Sequence, residues 1–127
     1  MKSALTSKGA PNPGGPYSQG IAADDWVFCS GQLAIDSATG QLVAGGIEAE
    51  TRRALANLRE VLAVAGLSLD DVVKTTVFLA DLAEFGVMNR VYQEHFKEPF
   101  PARSTVQVAA LGRGARIEIE AIARRSR

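Results

Sequence analysis

Two stretches of the chain place apolar residues at steps of three and four, the period of a helix with one buried face. The first extends from Ile47 to Ala65, and the following Gly66 is a favourable C-terminal stop. The second begins at Asp81, with Glu84 three residues later in a variant of the capping box. The predicted apolar stripes are Ile47, Thr51, Ala54, Leu55, Leu58, Leu62 and Ala65 in the first helix, and Leu82, Phe85, Tyr92 and Phe96 in the second.

Strands are predicted where residues are β-branched or alternate between polar and apolar. The clearest is Val72 to Ala80, with Lys74 and Thr76 on one face. Its other face, which we expect to be fully buried, holds Val73, Thr75, Val77 and Leu79. The other predicted strands are a short edge strand over Lys2 to Thr6, then Tyr17 to Ala22, Trp26 to Ser30, Arg103 to Ala109 and Arg116 to Ala123.

The element order is strands, helix, strand, helix, strands, with a glycine-rich loop over Gly31 to Gly46. This order predicts an α+β domain in which two helices pack on one face of a mixed sheet. The other face of the sheet then needs a cover, which we expect other copies of the chain to supply in a closed symmetric assembly. The apolar side chains assigned to that cover are Val106, Val108, Ile117, Ile119 and Ala121.

The composition excludes several classes of protein. A chain of 127 residues with 46% apolar and 22% charged residues predicts one folded domain over residues 1–127. The 14 basic and 14 acidic side chains cancel, which gives no broad attraction to nucleic acid or to anionic lipid. No apolar run reaches the length of a membrane helix or a secretory signal. The single cysteine fits a reducing compartment, so we expect the protein to be cytoplasmic.

Three polar residues occupy positions that need a physical reason. Arg103 begins a strand shortly after two prolines, so it is either a surface arginine at a strand start or a residue that holds a carboxylate through two parallel hydrogen bonds. Asn89 lies within the apolar stripe of the second helix, so it is either bonded to backbone or oriented toward a site at the sheet edge. Glu118 alternates with isoleucines, so it either faces solvent or performs acid–base chemistry together with Glu120.

We expect the last two strands to form a hairpin around the loop from Leu111 to Ala115. Arg103 would then lie several residues away from Glu118 along this hairpin. If both residues serve one site, one of them comes from a second subunit. The expected register sets Gln107 near Glu118 and Thr105 near Glu120.

The sequence offers little to other common catalytic centres. His95 is the only histidine, and its place on a helix beside Phe96 is typical of a partly exposed structural histidine. Cys29 is expected to be a small buried hydrophobe. One histidine and one distant cysteine do not make a zinc site. The glycine-rich loops match neither a phosphate loop nor a dinucleotide fingerprint.

Several segments together resemble the RidA/YjgF family of reactive-intermediate deaminases, which act on enamines and imines. The most specific is PARSTVQVAALGRGARIEIEA, residues 101–121, with the family's PARS opening and IEIEA close. Further similar segments are GPYSQG (15–20), SGQLAID (30–36) and VVKTTVFLADLAEF (72–85). The resemblance covers essentially the whole chain, in order and without large insertions.

The resemblance implies a chorismate-mutase-like α+β fold and a homotrimer with a ligand site in each cleft between subunits. It also implies hydrolysis of 2-aminoacrylate and 2-aminocrotonate, or of their imine tautomers 2-iminopropanoate and 2-iminobutanoate. The products are ammonia and a 2-keto acid. Members of this family need no cofactor and no metal, so we expect none here.

The functional residues of the family match positions of this sequence one by one. The carboxylate-binding arginine falls on Arg103, and the glutamate associated with the hydrolytic water falls on Glu118. The site tyrosine matches Tyr17, whose hydroxyl is expected to close or orient the site. The implied substrate-binding residues are Arg103, Ser30, Gly31, Asn89 and Thr105, the last at a position that is often cysteine.

Three other functions stay open. One is a divergent deaminase that acts on a bulkier amino or imino acid, and another is a non-catalytic module that binds a metabolite through Arg103. The presence of Glu118 and Tyr17 argues against mere binding, because a carboxylate binder needs no water-activating base. The third is endoribonuclease activity, against which the neutral charge and the lack of a basic-aromatic surface pattern argue.

Overall fold

Six strands form one sheet, and both α-helices pack on the same face of it. The computed structural model describes residues 1–126. Across the sheet β4 and β5 are parallel, and every other neighbouring pair in the order β1-β2-β3-β6-β4-β5 is antiparallel. The predicted α+β architecture is therefore confirmed. The elements are β1 (Lys2–Leu5), β2 (Gly20–Ala23), β3 (Trp26–Gln32), α1 (Gly46–Val64), β4 (Val72–Leu79), α2 (Phe85–His95), β5 (Ala102–Gln107) and β6 (Ile117–Arg124).

The predicted hairpin between the last two strands is wrong, because β4 lies between β5 and β6. β4, α2 and β5 form a parallel β-α-β unit, and its helical crossover places β5 on the outer side of β4. Residues 108–116 then pass over the end of β4, where backbone hydrogen bonds tie them to Leu79 and Ala80. The pairs expected from a hairpin, Gln107 with Glu118 and Thr105 with Glu120, do not form.

Helix α1 agrees with its prediction to within one residue at each end, whereas α2 begins later than predicted. Asp81 caps a short 3₁₀ turn over residues 82–84, and the α-helix follows from Phe85. Leu82 and Phe85 are both exposed, so their assignment to the buried stripe is wrong. Neither helix within residues 1–126 is long and apolar enough to cross a membrane. The buried side of α2 consists of Met88, Val91 and Tyr92, with Phe96 just beyond the helix.

Two register shifts change the predicted strand faces. The pairing of β4 with β6 shifts between Val72 and Lys74, which leaves Val73 exposed rather than buried. A second shift, between Cys29 and Gln32, interrupts the pairing of β3 with β6. β3 continues through this shift to Gln32, further than predicted, and the shifted part carries Ser30 and Gly31.

The core lies between the helices and the inner face of the sheet. Three of the residues assigned to a subunit contact, Ile117, Ile119 and Ala121, are buried in this core and cannot cover the other face. The uncovered face instead presents large apolar side chains that are partly exposed in one protomer. These are Trp26 and Phe28 of β3, and Val106 of β5.

Candidate functional site

Arg103 lies near the start of β5, at the edge of the sheet and on its helix side. It is the register partner of Thr75 on β4. Its guanidinium carbon is 4.7 Å from the ring centroid of Tyr92 and 5.4 Å from that of Phe85. Such cation–π contacts orient a guanidinium without neutralising it. No carboxylate of residues 1–126 forms an ion pair with Arg103, so its donors can receive an anion.

A cavity of about 450 Å³ opens beside Arg103. Asn89, on α2, lines this cavity together with Tyr92 and Phe100. Of the two interpretations of Asn89, the structure therefore favours orientation toward a site at the sheet edge. Thr105 follows Arg103 on the same face of β5, and its buried Oγ1 has no hydrogen-bond partner within residues 1–126.

The Tyr92 ring beneath Arg103 is held from two directions. Its hydroxyl lies 2.7 Å from Thr75 Oγ1 in a buried hydrogen bond. On its other side, the ring centroid of Phe96 is 4.4 Å away. Burial raises the pKa of Tyr92, while the hydrogen bond to Thr75 and the charge of Arg103 act in the opposite direction. The phenol therefore stays protonated and hydrogen-bonded at neutral pH.

Glu118 lies on β6 and faces the opposite, uncovered side of the sheet. Its carboxyl packs directly against Gly31, where a Cβ atom would come within 2.8 Å of the Glu118 carboxyl carbon. The register shift in β3 falls at this place, and the carboxyl occupies the space that a Cβ at position 31 would take. Burial raises the pKa of Glu118, and the nearby charge of Glu120 raises it further. A carboxyl with a raised pKa is suited to take and return a proton.

A second cavity, of about 390 Å³, lies beside Gly31 and is also lined by Tyr17. The Tyr17 side chain is 55% exposed, and its hydroxyl oxygen accepts a hydrogen bond from the Gly14 N–H at 3.3 Å. Ser30 Oγ donates to the Ser18 carbonyl at 2.6 Å. Ser30 therefore ties β3 to the segment that carries Tyr17.

Gln19 is a residue of this region that the sequence analysis missed. Its side chain is buried and holds the proline- and glycine-rich loop that precedes Tyr17. Because the chain is anchored there, the strand predicted from Tyr17 begins only at Gly20. A glutamine between a proline-rich loop and a strand was the available signal. Its Oε1 accepts from the Ser7 N–H at 2.6 Å, and its Nε2 donates to the carbonyls of Ser7, Ala10 and Pro11.

The structure thus divides the predicted site residues into two groups. The register partners of Arg103 and Glu118 on β4 are residues 75 and 78, whose side chains point to opposite faces of the sheet. One protomer therefore does not bring Arg103 and Glu118 together. The Arg103 group comprises Arg103, Asn89 and Thr105, and the Glu118 group comprises Glu118, Gly31, Ser30 and Tyr17.

The two residues set aside by the sequence analysis lie outside both cavities. His95 Nδ1 is 2.8 Å from the Val91 carbonyl oxygen, a contact within α2. Burial raises the pKa of Cys29 to about 12, so its thiol is not a nucleophile at neutral pH. Among residues 1–126, no group of three or more histidine, cysteine, aspartate or glutamate side chains is placed to hold a metal ion.

Comparison with known proteins places these two groups in a family. The family model described as Endoribonuclease L-PSP matches residues 7–125, which include every residue of both groups. The chain belongs to this family, the RidA/YjgF family. The motifs quoted from the sequence alone had indicated the same family.

Well-matched RidA/YjgF relatives include both enzymes and solved structures. The human 2-iminobutanoate/2-iminopropanoate deaminase is 46% identical over 123 residues, which cover 97% of this chain and 90% of the human protein. A crystal structure of a candidate endoribonuclease from Thermotoga maritima MSB8 is 46% identical and covers 100% of both chains, with a TM-score of 0.96. The structure of Escherichia coli TdcF with bound serine is 40% identical and covers 98% of this chain and 99% of TdcF, with a TM-score of 0.92.

Proposed function

We propose that this protein is a hydrolytic deaminase of small imino acids. Its substrates are 2-iminobutanoate and 2-iminopropanoate, or the enamine tautomers 2-aminocrotonate and 2-aminoacrylate. The observation that carries the proposal is the 46% identity with the human deaminase over 97% of the chain. The serine bound to TdcF supports a small ligand that carries a carboxylate.

Arg103 binds the substrate carboxylate through two parallel hydrogen bonds, and the Gly31 N–H adds a further donor. Glu118 holds a water molecule and removes one of its protons as the water oxygen bonds to the imine carbon. The electron pair of the C=N bond moves to nitrogen, which gives a carbinolamine. Glu118 returns the proton to nitrogen, which completes the neutral carbinolamine. Glu118 then takes the hydroxyl proton and passes it to the nitrogen as the C–N bond breaks and the C=O bond forms. Ammonia and a 2-keto acid leave.

This mechanism needs the two groups in one cleft, so we propose a homotrimer with sites shared between subunits. The β5 edge of one protomer, with its Arg103 group, meets the uncovered face of the next, with its Glu118 group. The exposed Trp26, Phe28 and Val106 on that face support the arrangement, because a monomer rarely leaves such surface uncovered. Light scattering should give about three times the chain mass. A stable monomer at micromolar concentration would contradict the shared cleft.

The activity is tested by coupling the purified protein to a threonine or serine dehydratase. We expect faster release of 2-oxobutanoate or pyruvate without added metal or cofactor, and the same rate in EDTA. A structured RNA is incubated in parallel, because the family description names an endoribonuclease. The deaminase proposal fails if neither imine is consumed faster. RNA cleavage without deamination would favour the nuclease, and binding of a 2-keto acid without turnover would favour a metabolite-binding module.

The shared site is tested by mixing two inactive subunits, Arg103→Ala and Glu118→Gln, through co-expression. A site between neighbours then contains both intact residues about one time in four, so about a quarter of the wild-type activity should return. The matched control mixes Arg103→Ala with the Arg103→Ala/Glu118→Gln double variant, which leaves no intact site. If the first mixture is no more active than its components, the site is not shared.

We also propose that the protein works in the cytoplasm. The support is its single thiol, Cys29, which is buried and has no possible internal disulfide partner. Fractionation of cells that carry the native gene should recover the protein with cytoplasmic markers, and enrichment with an oxidising compartment would contradict the proposal.

A further inference from the structure

The mechanism above uses Arg103 but leaves unexplained how its long side chain is kept in one place. An arginine side chain has many rotamers, and a carboxylate partner usually restricts them. No such partner exists for Arg103 within residues 1–126. The guanidinium rests instead against two aromatic rings, and it is nearer to Tyr92, at 4.7 Å from the centroid, than to Phe85, at 5.4 Å.

The Tyr92 ring is fixed to the strand that also fixes Arg103. Thr75 is the register partner of Arg103 across the β4–β5 pair. The same Thr75 forms the 2.7 Å hydrogen bond with the Tyr92 hydroxyl. Thr75 therefore fixes the backbone of Arg103 through the strand pairing and fixes the Tyr92 ring beneath its side chain through the hydrogen bond. A leucine at position 92 would keep an apolar side chain in the core, but it would offer neither the π face nor the hydroxyl.

We infer that Tyr92, anchored by Thr75, is a positioning residue that holds the Arg103 guanidinium ready for the substrate carboxylate. This inference rests on the proposed function of Arg103. A neutral ring leaves the positive charge available, whereas a carboxylate in the same place would compete with the substrate. Positioning before binding also avoids ordering the side chain when the ligand arrives.

The test compares Tyr92→Leu, Tyr92→Phe and Leu58→Ala with the wild-type protein. Leu58 is buried on α1 and is the control for lost core packing. Denaturant unfolding measures stability, calorimetry measures the Kd of 2-oxobutanoate, and the coupled assay measures KM and kcat.

We expect Tyr92→Leu to raise Kd and KM about tenfold with kcat nearly unchanged, because the carboxylate contact exists in both ground and transition states. Tyr92→Phe keeps the ring but loses the hydrogen bond to Thr75, so its Kd should lie between those of wild type and Tyr92→Leu. Leu58→Ala should lose stability with an unchanged Kd.

A double-mutant cycle separates positioning from direct contact with the ligand. In an Arg103→Ala background, measured at millimolar ligand, Tyr92→Leu should weaken binding no further. A second tenfold loss in that background would mean that the ring touches the ligand itself, and it would overturn the inference. So would a Kd for Tyr92→Leu no higher than that of Leu58→Ala. A wild-type protein that neither binds nor deaminates would overturn the proposed function instead, and with it this inference.

Discussion

The Arg103 group and the Glu118 group differ in how the fold treats their charged residue. Arg103 stands on the edge strand β5 against aromatic rings, which orient its guanidinium without neutralising it. Glu118 stands on the central strand β6, where burial and Glu120 raise its pKa. One environment preserves a permanent charge, and the other makes a charge easy to lose. The first suits binding of an anion, and the second suits transfer of a proton.

The largest expected effect separates these two roles at Glu118. Glu118→Gln keeps the size of the side chain but cannot take a proton, so kcat should fall by about 10²- to 10⁴-fold. Calorimetry should find 2-oxobutanoate still bound, because Arg103 is intact. The control is His95→Ala, which should retain activity since imidazole has no part in the mechanism. Wild-type turnover in Glu118→Gln would mean that this carboxylate is only a solvated strand residue.

The next largest effect tests how Arg103 binds the substrate carboxylate. Arg103→Ala removes both donors of the fork, so the Kd of 2-oxobutanoate should rise by about 10²-fold or more, and turnover should fall with it. Arg103→Lys keeps the charge without the planar fork and should restore little of the affinity. Calorimetry and the coupled rate measure both. Near wild-type affinity in Arg103→Lys would show that charge alone is enough.

A smaller effect is expected when the space beside the Glu118 carboxyl is filled. Gly31→Ala would push the flexible end of Glu118 aside, so kcat should fall by about 10- to 100-fold while stability changes little. The matched control is Gly86→Ala on α2, where an added Cβ has no neighbour within 4 Å. Thermal unfolding and kcat are compared for both variants. Equal kcat in the two would mean that the contact with Gly31 does not place Glu118.

The smallest effect concerns pH. The base must be ionised, so turnover falls as the pH decreases through the raised pKa of Glu118. Glu120→Gln removes the second cause of that raised pKa, and the acid limb of the kcat profile should move to lower pH. Burial, the larger cause, remains. A limb that stays in place or moves to higher pH would show that a different group controls it.

Parts of the fold that depend on residues close in sequence could be predicted, whereas parts that depend on distant strand pairings could not. The helix α1 is set by residues close in sequence and was predicted. Asp81 was also predicted as a cap, but it caps the 3₁₀ turn over residues 82–84 rather than α2. The insertion of β4 between β5 and β6 is a choice between distant pairings, and local patterns do not decide it. The exposure of Val73 depends on a bulge in such a pairing.

Prediction of the candidate site was limited in the same way, because local motifs could be recognised and long-range arrangement could not. The family motifs indicated Arg103 and Glu118, but their separation to opposite faces follows from the register of β5 and β6 against β4. Gln19 and Tyr92 were missed as supporting residues for a related reason. Gln19 bonds to Ser7 and Tyr92 bonds to Thr75, and both partners are distant in sequence. The periodicity of apolar residues does not indicate such hydrogen bonds.

The place of β6 in the sheet affects how the protein folds while it is being synthesised. This strand is translated after the other five, yet it fills the gap between β3 and β4 and pairs with both. Until the ribosome has released it, the nascent chain holds two partial sheets with unsatisfied edges. Such late, long-range closure slows folding and leaves the intermediate prone to aggregation. We therefore expect chains stopped before Ile117 to be digested rapidly by protease, and chains that extend past Arg124 to resist.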